Sequence, residues 1–118
     1  MTDAARRDLL ILIAPGFEDP ARPGQLFFCP DCNQVEGVLA ANAGLAAAVE
    51  VRRVGFARPR AEVIALLGEP NQSLPVLILG DGAPPPADAQ HHAGLTFVND
   101  TRRILELLAE RHGVPAPH

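Results

Sequence analysis

The stretch Leu9-Leu10-Ile11-Leu12-Ile13-Ala14, read together with Cys29-Pro30-Asp31-Cys32 further along, decides the fold. The apolar run is too short for an independent helix and suits a β-strand buried on both faces. After Cys32, Val35, Val38 and Leu39 recur at helical spacing, and Pro30 falls in a first turn, where its missing N–H is no loss. The chain's two cysteines therefore open a helix inside a β-α-β unit. Two thiols so spaced can close a small disulfide, one thiolate attacking a foreign disulfide and the other resolving the mixed intermediate. The same spacing also serves as half of many zinc sites.

Working outward, Glu50 to Phe56, with Val51 and Val54 among arginines, reads as a second strand, and a right-handed crossover makes it parallel to the first. Arg58-Pro59 opens a helix containing Val63, Ile64, Leu66 and Leu67, with Gly68 placed to end it. Leu74 to Leu79 is a third strand with Pro75 at its start, where a ladder donor is not needed. Gly80 to Gly94, which contains Pro84-Pro85-Pro86, reads as a long surface loop. Leu95 to Val98 is a short fourth strand. Asn99, Asp100 or Thr101 then caps a helix whose Ile104, Leu107, Leu108 and Arg111 share one face. The expected order is β-α-β-α-β-β-α, an α/β domain with a four-stranded mixed sheet flanked by helices.

With 118 residues the chain is expected to form a single domain over 1–118, with 1–7 and 114–118 as loose termini. Apolar residues make up 47%, enough for a core, and with aromatics at 4% that core is rich in alanine and leucine. All ten basic residues are arginines and the net charge is −4, with no basic run and no aromatic stacking platform, so nucleic acid is not an expected partner. Arg6-Arg7 before the Leu9 run superficially resembles an export signal, but the run is short and ends in Pro15-Gly16, so a strand is the better reading. No segment reaches the ~20 apolar residues of a membrane span. A soluble, cytoplasmic protein is expected, monomeric or weakly dimeric, where a C-x-x-C pair is redox-active or metal-binding rather than a structural staple.

The element order, with Cys-Pro-x-Cys opening the first helix and a proline opening the third strand, resembles the thioredoxin fold over nearly the whole chain. Within it the chain looks more like glutaredoxins and the N-terminal domains of glutathione transferases, because of the Cys29-Pro30-Asp31-Cys32 form and the final helix from Asp100-Thr101 through Ile104-Leu105. It also resembles a small bacterial family of uncharacterised thioredoxin-like proteins that share this long form of the motif region. The resemblance implies a glutathione-linked thiol-disulfide oxidoreductase, with glutathione as co-substrate and protein disulfides as other partners. Cys29 is then the nucleophile and Cys32 the resolving thiol. Leu74-Pro75 is the cis-proline step that pairs with a bound peptide or glutathione backbone, and Asp100 and Thr101 receive the γ-glutamyl end. Simple helix capping is the equal alternative for that last pair. Arg58 and Arg60 lie near the side where relatives hold the glycine carboxylate, with Gln72, just before the proline step, a similar candidate, and for each arginine a solvated charge is the alternative.

Pro30 and Asp31 are expected to tune the site. The helix terminus favours a Cys29 thiolate by ~0.3–1 kcal/mol. A carboxylate at Asp31, about 7 Å away, disfavours it by roughly 1 kcal/mol, so the two effects nearly offset. The segment Pro15 to Phe28 is longer than the corresponding connection in glutaredoxins. There Phe27 and Phe28 either shape a cleft or join the core, the core being the favoured reading, and Arg22 could bring positive charge to the thiolate.

Three rivals stand beside this reading. Cys29 and Cys32 with His91 and His92 have the right count for zinc, although adjacent histidines in an extended segment point to opposite sides. An iron-sulfur cluster shared by two copies through Cys29 is a second, and a non-catalytic binding module on a thioredoxin-like scaffold a third. No bound metal is expected. His112 and His118 read as a helix-end charge and a tail residue.

Overall fold

In the computed structural model, which describes residues 6–118, the Leu9 run forms β1 (Leu9–Ile13), buried along its whole length. A small hairpin, β2 (Phe17–Glu18) and β3 (Leu26–Phe27), leads into α1 (Pro30–Ala41). Then follow α2 (Ala43–Ala48), β4 (Glu50–Val54), α3 (Ala61–Leu67), β5 (Val76–Ile78), β6 (Gln90–His92), β7 (Leu95–Val98) and α4 (Thr101–His112). The main sheet has the order β4-β1-β5-β7-β6. β1 and β4 run parallel, Leu9 opposite Glu50 and Ile13 opposite Val54, while β5, β7 and β6 join antiparallel.

The alternation of β1 divides the core. Leu10 and Leu12 face Val35, Leu39, Ile104 and Leu108 of α1 and α4, in the cluster that also holds Cys32. Leu9 and Ile11 face Val63 and Leu67 of α3, with Val76, Ile78 and Phe97. Helices thus cover both faces of the sheet, and for that reason β1 is apolar throughout rather than at alternate positions.

The sheet has five strands, not the expected four. The fifth, β6, lies within the segment read as a long loop. It pairs with β7 through Gln90–Phe97, His91–Thr96 and His92–Leu95, leaving Ala93 and Gly94 as the turn. Both have positive φ, 48° and 82°, the conformation that matches the twist of a tight hairpin. Alanine is uncommon there, so the dipeptide carries little turn signal. The helical run between the first two main-sheet strands is also two helices rather than one. Asn42, non-helical at φ −133° and ψ 84°, separates them and donates its side-chain amide to the Val38 carbonyl at 2.9 Å.

Of the expected loose termini, residues 1–5 lie outside the described residues. Arg6 is pinned instead, its N–H donating to Asp81 Oδ2 at 2.8 Å and its carbonyl accepting from the Asp81 N–H at 2.9 Å. At the other end, Val114 packs on the core and Arg102 donates to the carbonyls of Pro117 and His118. Among the described residues no helix is long and apolar enough to cross a membrane.

Candidate functional site

The cysteines lie where β1 ends and α1 begins. Cys29 is the N-cap of α1, extended at φ −80° and ψ 114°, with Pro30 in the first turn. It is half-buried, and its Sγ accepts the Cys32 backbone N–H at 3.2 Å. Cys32 is 2% exposed, in the core beside Val35, and its Sγ accepts the Ile13 N–H at 3.4 Å. Burial pushes the Cys32 thiol up to about 12, helped by its hydrogen bond to Cys29 and by the charges of Cys29 and Asp31, while the Ile13 N–H pulls the other way. One sulfur is accessible and the other holds its proton. That is the asymmetry an attacking and a resolving thiol need.

The hairpin before Cys29 is built on aromatic contacts. Phe17 stacks on Phe56 at 4.3 Å between centroids and 7° between planes, and meets Phe27 at 6.2 Å. Arg22 lies over the Phe27 ring at 4.8 Å, so its charge caps this stack. Phe28 departs from the favoured core placement. It is 54% exposed and Leu26 64%, because the period-two alternation around Phe27 turns both outward when Phe27 turns in.

The Leu74-Pro75 peptide bond is cis, with Pro75 buried just before β5 and Leu74 half-buried against the cluster that contains Cys32 and on which Cys29 also packs. Arg58-Pro59 is also cis, and the helix it was expected to open starts later, with Arg60 as N-cap of α3. Arg58 is exposed and Arg60 is buried. Gln72 is buried as well, its Oε1 accepting the Arg60 backbone N–H at 2.8 Å and its Nε2 donating to the Glu69 carbonyl at 2.9 Å. Both ends of that amide already have partners inside the protein.

Asp100 caps α4, its Oδ2 accepting the Arg103 N–H at 2.9 Å, with Thr101 as the first helical residue. A cleft of about 310 Å³ opens beside it, lined by Asp88, Asn99, Asp100, Arg102 and Arg103 among others. His91 and His92 are exposed on β6, His91 against the Thr96 hydroxyl at 3.2 Å and His92 against Gly68. Among the described residues no group of three or more His, Cys, Asp or Glu side chains is placed to hold a metal ion.

A family model matches residues 7–116, and its description is that of a protein of unknown function, DUF3088. The chain belongs to this family. Its match spans every element of the structure, from β1 to α4, and so takes in both cysteines and Leu74-Pro75. No curated protein and no solved structure matches the chain.

Sequence reasoning missed a second buried cluster at the other end of β1. Asp8 is 4% exposed and accepts four hydrogen bonds: from the Gly80 N–H, from Arg111 Nε and Nη2, each at 2.7 Å, and from His112 Nε2 at 2.8 Å. Burial by itself would raise the Asp8 carboxyl, but the bonds from Arg111, Gly80 and His112 hold it below the usual carboxylate range. The one available signal was Arg111 on the apolar face of the last helix.

Proposed function

We propose that this DUF3088 protein is a thiol-disulfide oxidoreductase, with Cys29 as nucleophile and Cys32 as resolving thiol. The observation that carries the reading is the half-buried Cys29 sulfur at a helix N-terminus, accepting an N–H, beside a buried thiol pushed up to about 12. The order β4-β1-β5-β7, parallel in its first pair and antiparallel after, supports a thioredoxin-like scaffold to which β6 is added at the edge. A reducing compartment such as the cytoplasm suits the chemistry.

In the forward reaction the Cys29 thiolate attacks one sulfur of a substrate disulfide. A Cys29–substrate disulfide forms and the other half leaves as a thiolate. Once Cys29 is bonded to sulfur its charge no longer opposes ionisation of Cys32, and the Cys32 proton passes to the departing thiolate. Cys32 then attacks Cys29, releasing the second substrate thiolate, which takes a proton from water, and forming the Cys29–Cys32 disulfide. The substrate gains two electrons. Two molecules of a thiol such as glutathione return them, leaving as one disulfide.

Leu26 and Phe28 are the exposed large hydrophobics among the described residues, and both lie in the segment that enters Cys29. They favour a polypeptide disulfide over glutathione as the compound reduced, with glutathione as electron donor. The test is reduction of a peptide disulfide with an apolar residue next to its cysteine, and of a mixed disulfide of glutathione with a small thiol, both with glutathione present. Cys29→Ser is expected to abolish both reactions, and Cys32→Ser to accumulate the mixed disulfide on Cys29. Full activity in Cys29→Ser would end the proposal.

A further inference from the structure

Arg60 is 7% exposed, yet among the described residues no carboxylate pairs with it, whereas Arg6, Arg52, Arg53, Arg102, Arg103 and Arg111 all have acidic partners. Its guanidinium is held by carbonyls alone. Nε and Nη2 donate to Phe56 at 3.2 and 2.8 Å, and Nη1 donates to Gln72 at 2.7 Å. It lies 5.9 Å from the Phe56 ring, and Phe56, which stacks on Phe17, packs on the cluster that contains Cys32 and against which Cys29 also packs. Gln72 leads through Ser73 into the Leu74-Pro75 step.

Burying a full charge without an opposite one is costly, and carbonyl dipoles could be met by a neutral amide. The charge itself therefore needs a reason. Burial pushes the Arg60 guanidinium below its ordinary range, and Arg58 acts in the same direction, while Cys32 and Cys29 act in the opposite one. A cation buried at the edge of that cluster and an anion formed on either sulfur attract each other.

We infer that Arg60 is a positioning residue of the dithiol site, a buried cation against which the Cys29 thiolate forms and a clamp that ties the loop after β4 to the segment entering Leu74-Pro75. The inference rests on the oxidoreductase reading only in taking Cys29 as the reactive thiol. The other charged groups around the two sulfurs and Arg60 are Asp31 of α1, which acts on Cys32, and the exposed Arg58, which acts on Arg60. Arg22 stands over Phe27 in the hairpin.

The measurement is the pH dependence of Cys29 alkylation by iodoacetamide in the reduced full-length protein, with the modified residue identified by mass spectrometry. Arg60→Met is expected to slow alkylation roughly three- to tenfold at neutral pH while leaving the high-pH plateau unchanged. Arg60→Lys keeps the charge but loses the fork to the two carbonyls, so it should slow alkylation less than the neutral variant does. Should Arg60→Met fail to fold, Arg60→Gln takes its place, since it retains an amide donor without the charge. A folded neutral variant with the parent pH profile, or a Lys variant that falls as far as the neutral one, would overturn the assignment. A parent protein that alkylates normally but exchanges no disulfide would instead overturn the oxidoreductase reading and leave Arg60 as assigned.

Discussion

The two ends of β1 handle buried charge in opposite ways. Before Leu9, Asp8 is saturated: a bidentate arginine, a histidine and a backbone N–H occupy its two oxygens. At Ile13 the strand's last N–H is given to a sulfur, a weak acceptor, and the buried cation Arg60 has only carbonyls among the described residues. One end is matched and therefore structural. The other keeps an accessible sulfur and, among the described residues, a cation without a carboxylate partner, and the proposed chemistry uses that imbalance. The difference shows that burial of a charge does not by itself mark a functional site. Whether its partners already neutralise it is the informative fact.

The strongest way to break this contrast is Asp8→Asn. It leaves Arg111 buried without its anion and should lower stability by about 3–5 kcal/mol in chemical denaturation, with Cys29 alkylation unchanged. A matching loss of alkylation would mean that the two ends are coupled. The pH dependence follows from the direction of the Asp8 shift. A depressed folded-state value means that the stabilisation is complete above the unfolded value of about 3.9 and is lost as pH falls through the lower folded value. The gap between parent and Asp8→Asn should therefore narrow in acid.

Asp31→Asn sharpens the contrast at the cysteine end. Asp31 is exposed in the first turn of α1, so its removal should leave stability nearly unchanged and speed alkylation at low pH by about two- to fivefold, less in high salt. An unchanged profile would remove Asp31 from the site. The smallest effect is expected between the two ends. Arg53 makes a two-bond fork to Glu36, at 2.8 and 2.7 Å, joining β4 to α1, but its side chain is 46% exposed. Arg53→Ala should lower stability by no more than ~1 kcal/mol. A loss as large as that of Asp8→Asn would show that exposure does not separate these ion pairs.

What could be read in advance follows from how far apart the interacting residues are in the chain. The Leu9–Ile13 strand, the helix opened by Pro30, and a cap of α4 at Asn99, Asp100 or Thr101, which the structure places at Asp100, each rest on neighbours a few residues away. β6 was hidden because Gln90-His91-His92 is exposed and polar, and because its turn places alanine at a positive φ. The break at Asn42 was hidden inside a stretch of good helix formers. At the candidate site, the cysteine pair was evident from spacing, and burial alone distinguishes the two thiols. Arg58 and Arg60 looked interchangeable until α3 began at Ala61 and turned one outward and the other in.

By itself the sequence determined that a doubly buried strand precedes a helix with two cysteines at its mouth, since apolar run length, proline position and i, i+3 spacing are local properties. Only the tertiary structure decided which charges are neutralised. Asp8 meets Arg111 and His112 across nearly the whole chain, and Arg60 finds carbonyls in place of a carboxylate. Those encounters depend on how the helices pack against the sheet, and no short window of residues encodes that.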